Sequence, residues 1–120
     1  MIFYFSGTGN SRWAAKYVAE ATADRLLYIP DEMRGNMIYT LQAGERIGFV
    51  IPVHGWRPPV LVRNFLSKCQ FVATSPVYTY LVYTAGDSIG KATEIFEADL
   101  APHGLTLSAA LSLIMPESYV

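Results

Sequence analysis

Short apolar runs that alternate with amphipathic segments predict an α/β fold, a parallel sheet with helices on its faces. The apolar runs are bounded by glycine or proline, and the central one is apolar throughout, as in strands buried on both sides. The segments between them repeat apolar residues at helical spacing. No internal repeat or linker interrupts this order. The sequence therefore predicts a single domain spanning residues 1–120.

The elements follow one another as strand and helix. Asn10 and Ser11 are good capping residues for the first helix, and Pro58 or Pro59 suits the first turn of the next. Segment 31–45 is punctuated by glycines, so only a short helix is expected there. Pro30 is expected to close the second strand. Strands are predicted at residues 2–5, 26–29, 46–53 and 77–84, with the last strand within 105–115, and longer helices at 10–23, 59–68 and 88–101.

The composition is that of a chain with a hydrophobic core and little net charge. Of 120 residues, 52% are hydrophobic and 16% are charged, and the formal net charge is −1. Nothing in this balance favours a nucleic acid or an anionic membrane as partner. Cys69 is the single cysteine, which excludes an internal disulfide or an iron–sulfur centre and fits a cytoplasmic location. We expect neither a signal peptide nor a membrane span.

A glycine-rich loop joins the first strand to the first helix and contains Ser6, Gly7, Thr8, Gly9, Asn10 and Ser11. The N–H groups that open a helix lack partners within it, and the helix dipole favours an anion there. The glycines let the backbone bend around a phosphate, and the polar side chains add neutral donors. Without a cation inside the loop, a bound monophosphate cofactor is favoured over phosphoryl transfer. A plain glycine turn capped by Asn10 is the alternative.

Other phosphate motifs fail on spacing. A dinucleotide-binding fingerprint needs glycine or alanine three residues after Gly9, where this chain has Arg12. Residues 86–92 have three spacer residues where a P-loop needs four, and Ala92 offers no hydroxyl for magnesium. A cysteine phosphatase is also disfavoured, because Ser75 stands where the arginine that follows Cys69 would be required.

Residues 3–11, Phe-Tyr-Phe-Ser-Gly-Thr-Gly-Asn-Ser, resemble the FMN phosphate loop of flavodoxins. They are especially similar to the amino-terminal flavodoxin domain of flavodoxin–ferredoxin fusion proteins. The resemblance implies non-covalent FMN and a three-layer sandwich with five parallel strands in the order 2-1-3-4-5. In such a sheet the ligand lies beyond the carboxyl ends of the strands where the order reverses, as FMN does in flavodoxins.

The loop after the third strand would then meet the flavin ring, through Pro52, Val53, His54, Gly55 and Trp56. Trp56 can stack on the isoalloxazine, a contact that contributes about 0.5–1.5 kcal/mol beyond area burial, or can cover a helix end. The resemblance implies that the Gly55 backbone approaches flavin N5 and flips with the redox state. His54 would tune the flavin by its charge, or be a solvated surface residue.

The loop after the fourth strand resembles the second ring-binding loop of the family and contains Ala85, Gly86 and Asp87. Gly86 permits the backbone to approach the pyrimidine edge of the ring. Asp87 is expected to contact the ligand, to cap the next helix, or to do both.

The family's final helix has no counterpart here, since only residues 116–120 follow Met115, too few to cover a sheet face. We therefore expect an open apolar patch beside the first helix, and such patches usually find partners. The prediction is a homodimer or a chain cut short from a longer protein. No ferredoxin domain with clustered cysteines is present, so electrons would not pass to an internal cluster.

Three functions are compatible with these observations. The first is an FMN-dependent electron carrier or redox module with a partner protein, which requires no catalytic acid, base or metal ligand. The second is an FMN-dependent NAD(P)H oxidoreductase acting on a quinone or similar acceptor. The third is an interaction domain that has no flavin.

Overall fold

The computed structural model describes residues 1–6, 9–53, 57–84 and 90–113. Within these ranges the strands are β1 (Ile2–Tyr4), β2 (Leu26–Tyr28), β3 (Ile38–Leu41), β4 (Arg46–Pro52), β5 (Gln70–Ala73), β6 (Tyr78–Thr84) and β7 (Ala109–Leu113). The helices are α1 (Asn10–Thr22), α2 (Ile29–Glu32), α3 (Val60–Lys68) and α4 (Gly90–Leu100), followed by a 3₁₀ turn at Ala101–His103. In the described part of the chain, no helix is both long and apolar enough to cross a membrane.

Five strands form one parallel sheet in the order β2-β1-β4-β6-β7. These are the five predicted strands, so the predicted order 2-1-3-4-5 is confirmed. The centre of the sheet is β4, whose residues 47–51 are all buried. A strand that buries both of its sides must be apolar throughout, which explains the continuous apolar run in the sequence.

One side of the main sheet, called here the aromatic face, is covered by α3 and α4. The ring of Phe3 lies at its centre and packs against four other rings at centroid distances of 4.8–5.9 Å, those of Tyr39, Phe49, Phe65 and Phe71. The α3 and α4 residues that pack here, including Leu66, Phe96 and Leu100, are also buried. This cluster contains most of the large buried side chains of the fold.

The other side, called here the α1 face, is packed by α1. Its buried cluster is smaller and consists of Ile2, Ala14, Ala15, Ala19, Val50 and Val82. Three of the buried α1 residues are alanines, so the helix backbone can lie close to the strands. Gly48 of β4 allows the ring of Tyr80 to lie across it, because a Cβ at that position would overlap the ring.

Segment 31–45 and its surroundings differ from the prediction. The short helix α2 begins earlier, at Ile29, and Pro30 lies in its first turn, where proline is favoured, instead of closing a strand. Residues 38–41 form β3, which pairs in parallel with β5 in a separate two-stranded sheet. Neither strand was predicted. Tyr39 and Leu41 alternate with exposed residues, so the small sheet buries one side against the aromatic face.

Candidate functional site

The carboxyl ends of β1, β4 and β6 meet at one edge of the main sheet. Pro52, the last residue of β4, is paired in register with Thr84, the last residue of β6. Tyr4 of β1 is paired with Val50, and the Phe5 N–H donates to the Val50 carbonyl oxygen at 3.2 Å. The chain therefore leaves three neighbouring strands at the same edge, and the strand order reverses between β1 and β4, where open parallel sheets bind ligands.

Gly9 shapes the start of α1 at this edge. It is the N-cap residue and has a φ of +96°, a left-handed backbone conformation that residues other than glycine rarely adopt. Its N–H donates to Ser6 Oγ at 2.8 Å, and its carbonyl oxygen accepts the N–H of Trp13 at 3.0 Å. The first turn of α1 holds no acidic residue. The first turn itself therefore places no carboxylate beside its N–H groups.

Ser11 connects this loop to the end of β6. It is 2% exposed, and its Oγ lies 2.6 Å from Thr84 Oγ1 in a hydrogen bond between residues 73 positions apart. The strand that precedes residues 85–89 is thereby joined to the first turn of α1. The sequence pointed to Ser11 but not to Thr84. The signal was the two-residue alternation of β6, which places Thr84 on the same side as Val82, toward α1.

The remaining predicted site residues are described in part. Asn10 is the first residue of α1. Pro52 and Val53 are half-buried, and Val53 packs against the core of the aromatic face. The other predicted site residues lie outside the described ranges: Gly7, Thr8, His54, Gly55, Trp56, Ala85, Gly86 and Asp87.

The chemistry of the described loop residues fits an anionic phosphate group. A helix start supplies N–H donors and the positive end of the helix dipole. Ser6 adds a hydroxyl beside the Gly9 N–H, Ser11 adds one in the first turn of α1, and Gly9 gives the backbone its curvature. A phosphomonoester can accept several such hydrogen bonds at once. Among the described residues, no three histidine, cysteine or carboxylate side chains are grouped so that they could hold a metal ion.

Cys69 and His103 form a separate contact, away from the carboxyl edge. His103 Nε2 donates to the Leu66 carbonyl oxygen at 2.6 Å and lies 4.0 Å from Cys69 Sγ. Burial raises the pKa of the Cys69 thiol to about 12, so the thiol stays protonated at neutral pH. A protonated, buried thiol is a poor nucleophile, and this pair is better interpreted as part of the packing between α3 and the 3₁₀ turn.

Comparison with known proteins identifies the architecture. No protein-family model matches the chain, and no curated protein sequence matches it. A candidate flavoprotein from Bacteroides uniformis superposes with a TM-score of 0.70 at 19% identity, covering 94% of this chain and 88% of that protein.

Two further solved structures have the same architecture. The flavodoxin of Megasphaera elsdenii, in its two-electron reduced form, has a TM-score of 0.62 at 15% identity, with 98% and 90% of the two chains covered. A flavoprotein from Lactobacillus acidophilus, in complex with FMN, has a TM-score of 0.61 at 14% identity, with 92% and 90% covered. At these identities the likeness establishes the fold, and the chain therefore has a flavodoxin-like α/β fold.

Proposed function

We propose that this chain binds FMN non-covalently and acts as an electron carrier or as the redox module of a larger system. The observation that carries the proposal is the start of α1 at the carboxyl edge, shaped by the left-handed Gly9 and located where the strand order reverses. A phosphate held there would leave the attached ring beside the ends of β4 and β6. The FMN complex of the Lactobacillus acidophilus protein, which shares the fold, supports the choice of ligand.

The residues would divide into two groups. The backbone N–H groups of the first turn of α1, with the side chains of Ser6, Thr8, Asn10 and Ser11, would hold the phosphate. The segments after β4 and β6 would hold the ring, with Trp56 stacked on it and Gly55 and Gly86 permitting a close backbone approach. This assignment is supported by the common edge at which those segments leave the sheet.

The chemistry would come from the cofactor, since bound FMN supplies one- and two-electron transfer. The chain would supply binding, stacking and a phosphate site with no fixed positive charge inside the loop. No side chain is required to act as a catalytic acid or base. An electron carrier therefore needs less from this site than an NAD(P)H oxidoreductase, which also requires room for a nicotinamide beside the ring.

The proposal includes a redox partner protein, a cytoplasmic location and self-association through the α1 face. Self-association is supported by exposed apolar side chains in α1 and β7: Trp13 is 52%, Tyr17 64% and Leu111 61% exposed. Sedimentation equilibrium should show a dimer that Leu111→Ser weakens. A chain that stays monomeric at high concentration would contradict this part of the proposal.

FMN binding is tested by titrating the apo-protein with FMN and following the quenching of flavin fluorescence. Gly9→Ala should weaken binding by about tenfold, because alanine at positive φ costs about 1–2 kcal/mol and displaces the N–H groups of the loop. The matched control is Gly44→Ala, which alters an exposed glycine with a φ of +85° in the turn before β4. It should lower stability by a similar amount and leave FMN affinity unchanged.

Three results would each contradict one part of the proposal. Wild-type protein that does not quench FMN fluorescence would contradict the proposed cofactor. Equal effects of the two glycine substitutions would contradict the location of the phosphate. Steady NAD(P)H oxidation by the FMN-loaded protein would replace the carrier with the oxidoreductase.

A further inference from the structure

We propose that Thr84 is a positioning residue that turns the Ser11 hydroxyl proton toward the phosphate of the flavin. The inference rests on the proposed function and deepens it by assigning a residue that need not touch the ligand. It begins from the hydrogen bond between Ser11 Oγ and Thr84 Oγ1, 2.6 Å long, which joins α1 to β6 at the carboxyl edge.

Two hydroxyl groups in such a bond have two possible arrangements. Each hydroxyl has one proton to donate and can also accept. If Ser11 donates to Thr84, its single proton is used within the protein. If Thr84 donates to Ser11, the Ser11 proton is available to another acceptor.

A phosphate at the start of α1 would favour the second arrangement. Hydrogen bonds to an ionised acceptor are about twice as strong as those between neutral groups. Ser11, as the second residue of α1, lies in the turn whose N–H groups face the loop. Donation from Thr84 to Ser11 and from Ser11 to the phosphate would form a chain in which each bond polarises the next.

This arrangement gives Thr84 an effect on only one part of the ligand. FMN carries the phosphate, whereas riboflavin has the same ring and ribityl chain without it. Removal of the Thr84 hydroxyl should therefore weaken FMN binding and leave riboflavin binding nearly unchanged. If the hydroxyl merely held the end of β6 in place, its removal would weaken both flavins by the same factor.

The test measures dissociation constants for FMN and riboflavin by fluorescence quenching in four variants. Thr84→Val should weaken FMN binding by about three- to tenfold, the size expected for loss of one hydrogen bond between neutral groups, here the bond that orients Ser11. It should change riboflavin binding less than twofold. Thr84→Ser, which keeps the hydroxyl, should restore FMN affinity to within about twofold of wild type. In a Ser11→Ala background, Thr84→Val should have no further effect on FMN, since the two residues act as one unit.

Thr79→Val is the matched control, because it removes a threonine hydroxyl from the opposite end of the same strand. Thr79 is fully buried, and its Oγ1 lies 3.5 Å from the Val77 carbonyl oxygen. This substitution should leave both affinities unchanged. If Thr84→Val does not fold, Thr84→Ala removes the same hydroxyl with a smaller side chain and is measured in its place.

The outcomes separate the inference from the function on which it rests. Equal weakening of FMN and riboflavin, or no change in either, overturns the role of Thr84 while FMN binding by the wild type stands. Additive effects of Ser11→Ala and Thr84→Val overturn it as well. Wild-type protein that binds neither flavin overturns both the inference and the proposed function.

Discussion

The two faces of the main sheet differ in the number and size of the side chains that they bury. On the aromatic face, α3, α4 and the two-stranded sheet bury a continuous set of large side chains around Phe3. On the α1 face, the described residues form a smaller cluster under α1, and Leu111 is 61% exposed although its neighbour in register, Val82, is only 4% exposed. The proposed phosphate site begins on the thinly packed face.

This difference separates stability from binding. Burial of large apolar side chains is the main favourable term in folding, so the aromatic face should supply most of the stability. The α1 face instead places the first turn of a helix, with small residues beneath it, close to the strand ends. Substitutions on the two faces should therefore affect different measurements.

The largest loss of folding stability is expected from substitutions on the aromatic face. Phe3→Ala removes a fully buried ring that contacts four others and should lower the free energy of unfolding by about 3–5 kcal/mol. Urea denaturation measures the loss. Tyr17→Ala, an aromatic residue of α1 that is 64% exposed, is the control and should cost less than about 1 kcal/mol. Similar losses from both substitutions would remove the distinction between the faces.

An intermediate effect is expected at Gly48, on the α1 face. Gly48→Ala places a methyl group against the ring of Tyr80 and should lower the free energy of unfolding by about 1–2 kcal/mol through overpacking. In a Tyr80→Ala background the same substitution should cost little, because the ring is gone. A loss that persists in that background would show that the close approach of Tyr80 is not the cause.

The smallest effect is expected at the open end of the α1 face. Leu111→Ser, measured by urea denaturation in dilute solution, should change the free energy of unfolding by less than about 0.5 kcal/mol, since the side chain is mostly exposed. A loss above 2 kcal/mol from the monomer would mean that Leu111 is covered by its own chain, and the two faces would then be more alike than their packing indicates.

The sequence predicted the elements whose patterns are local. The apolar run 46–53 and the amphipathic segment 10–23 correspond closely to β4 and α1. The expected capping by Asn10 or Ser11 was wrong, because Gly9 is the N-cap residue and both residues belong to the first turn of α1. It did not predict β3 or β5, because each strand has four residues and its partner lies about 30 positions away. Half of β3 is exposed, so its alternation is too short to identify it. The pairing depends on the aromatic face, which exists only after the main sheet forms.

At the site, too, the sequence predicted the feature with a local pattern and missed the one that depends on distant parts of the chain. Gly9 was identified from its place between a strand and a helix, and the structure gives it the left-handed backbone that only glycine adopts readily. The bond between Ser11 and Thr84 was not predicted. It depends on the register of β6 against β4 and on which side of β6 faces α1, and neither follows from the spacing of the two residues.

The most direct test follows backbone amide chemical shifts by NMR while FMN is added to the apo-protein. We expect large shifts for Gly9, Ser11 and Thr84 at the carboxyl edge. We expect little change for Asp24, Arg46 and Thr79 at the opposite edge. Shifts confined to the opposite edge, or an unchanged spectrum at saturating FMN, would contradict a phosphate site at the start of α1.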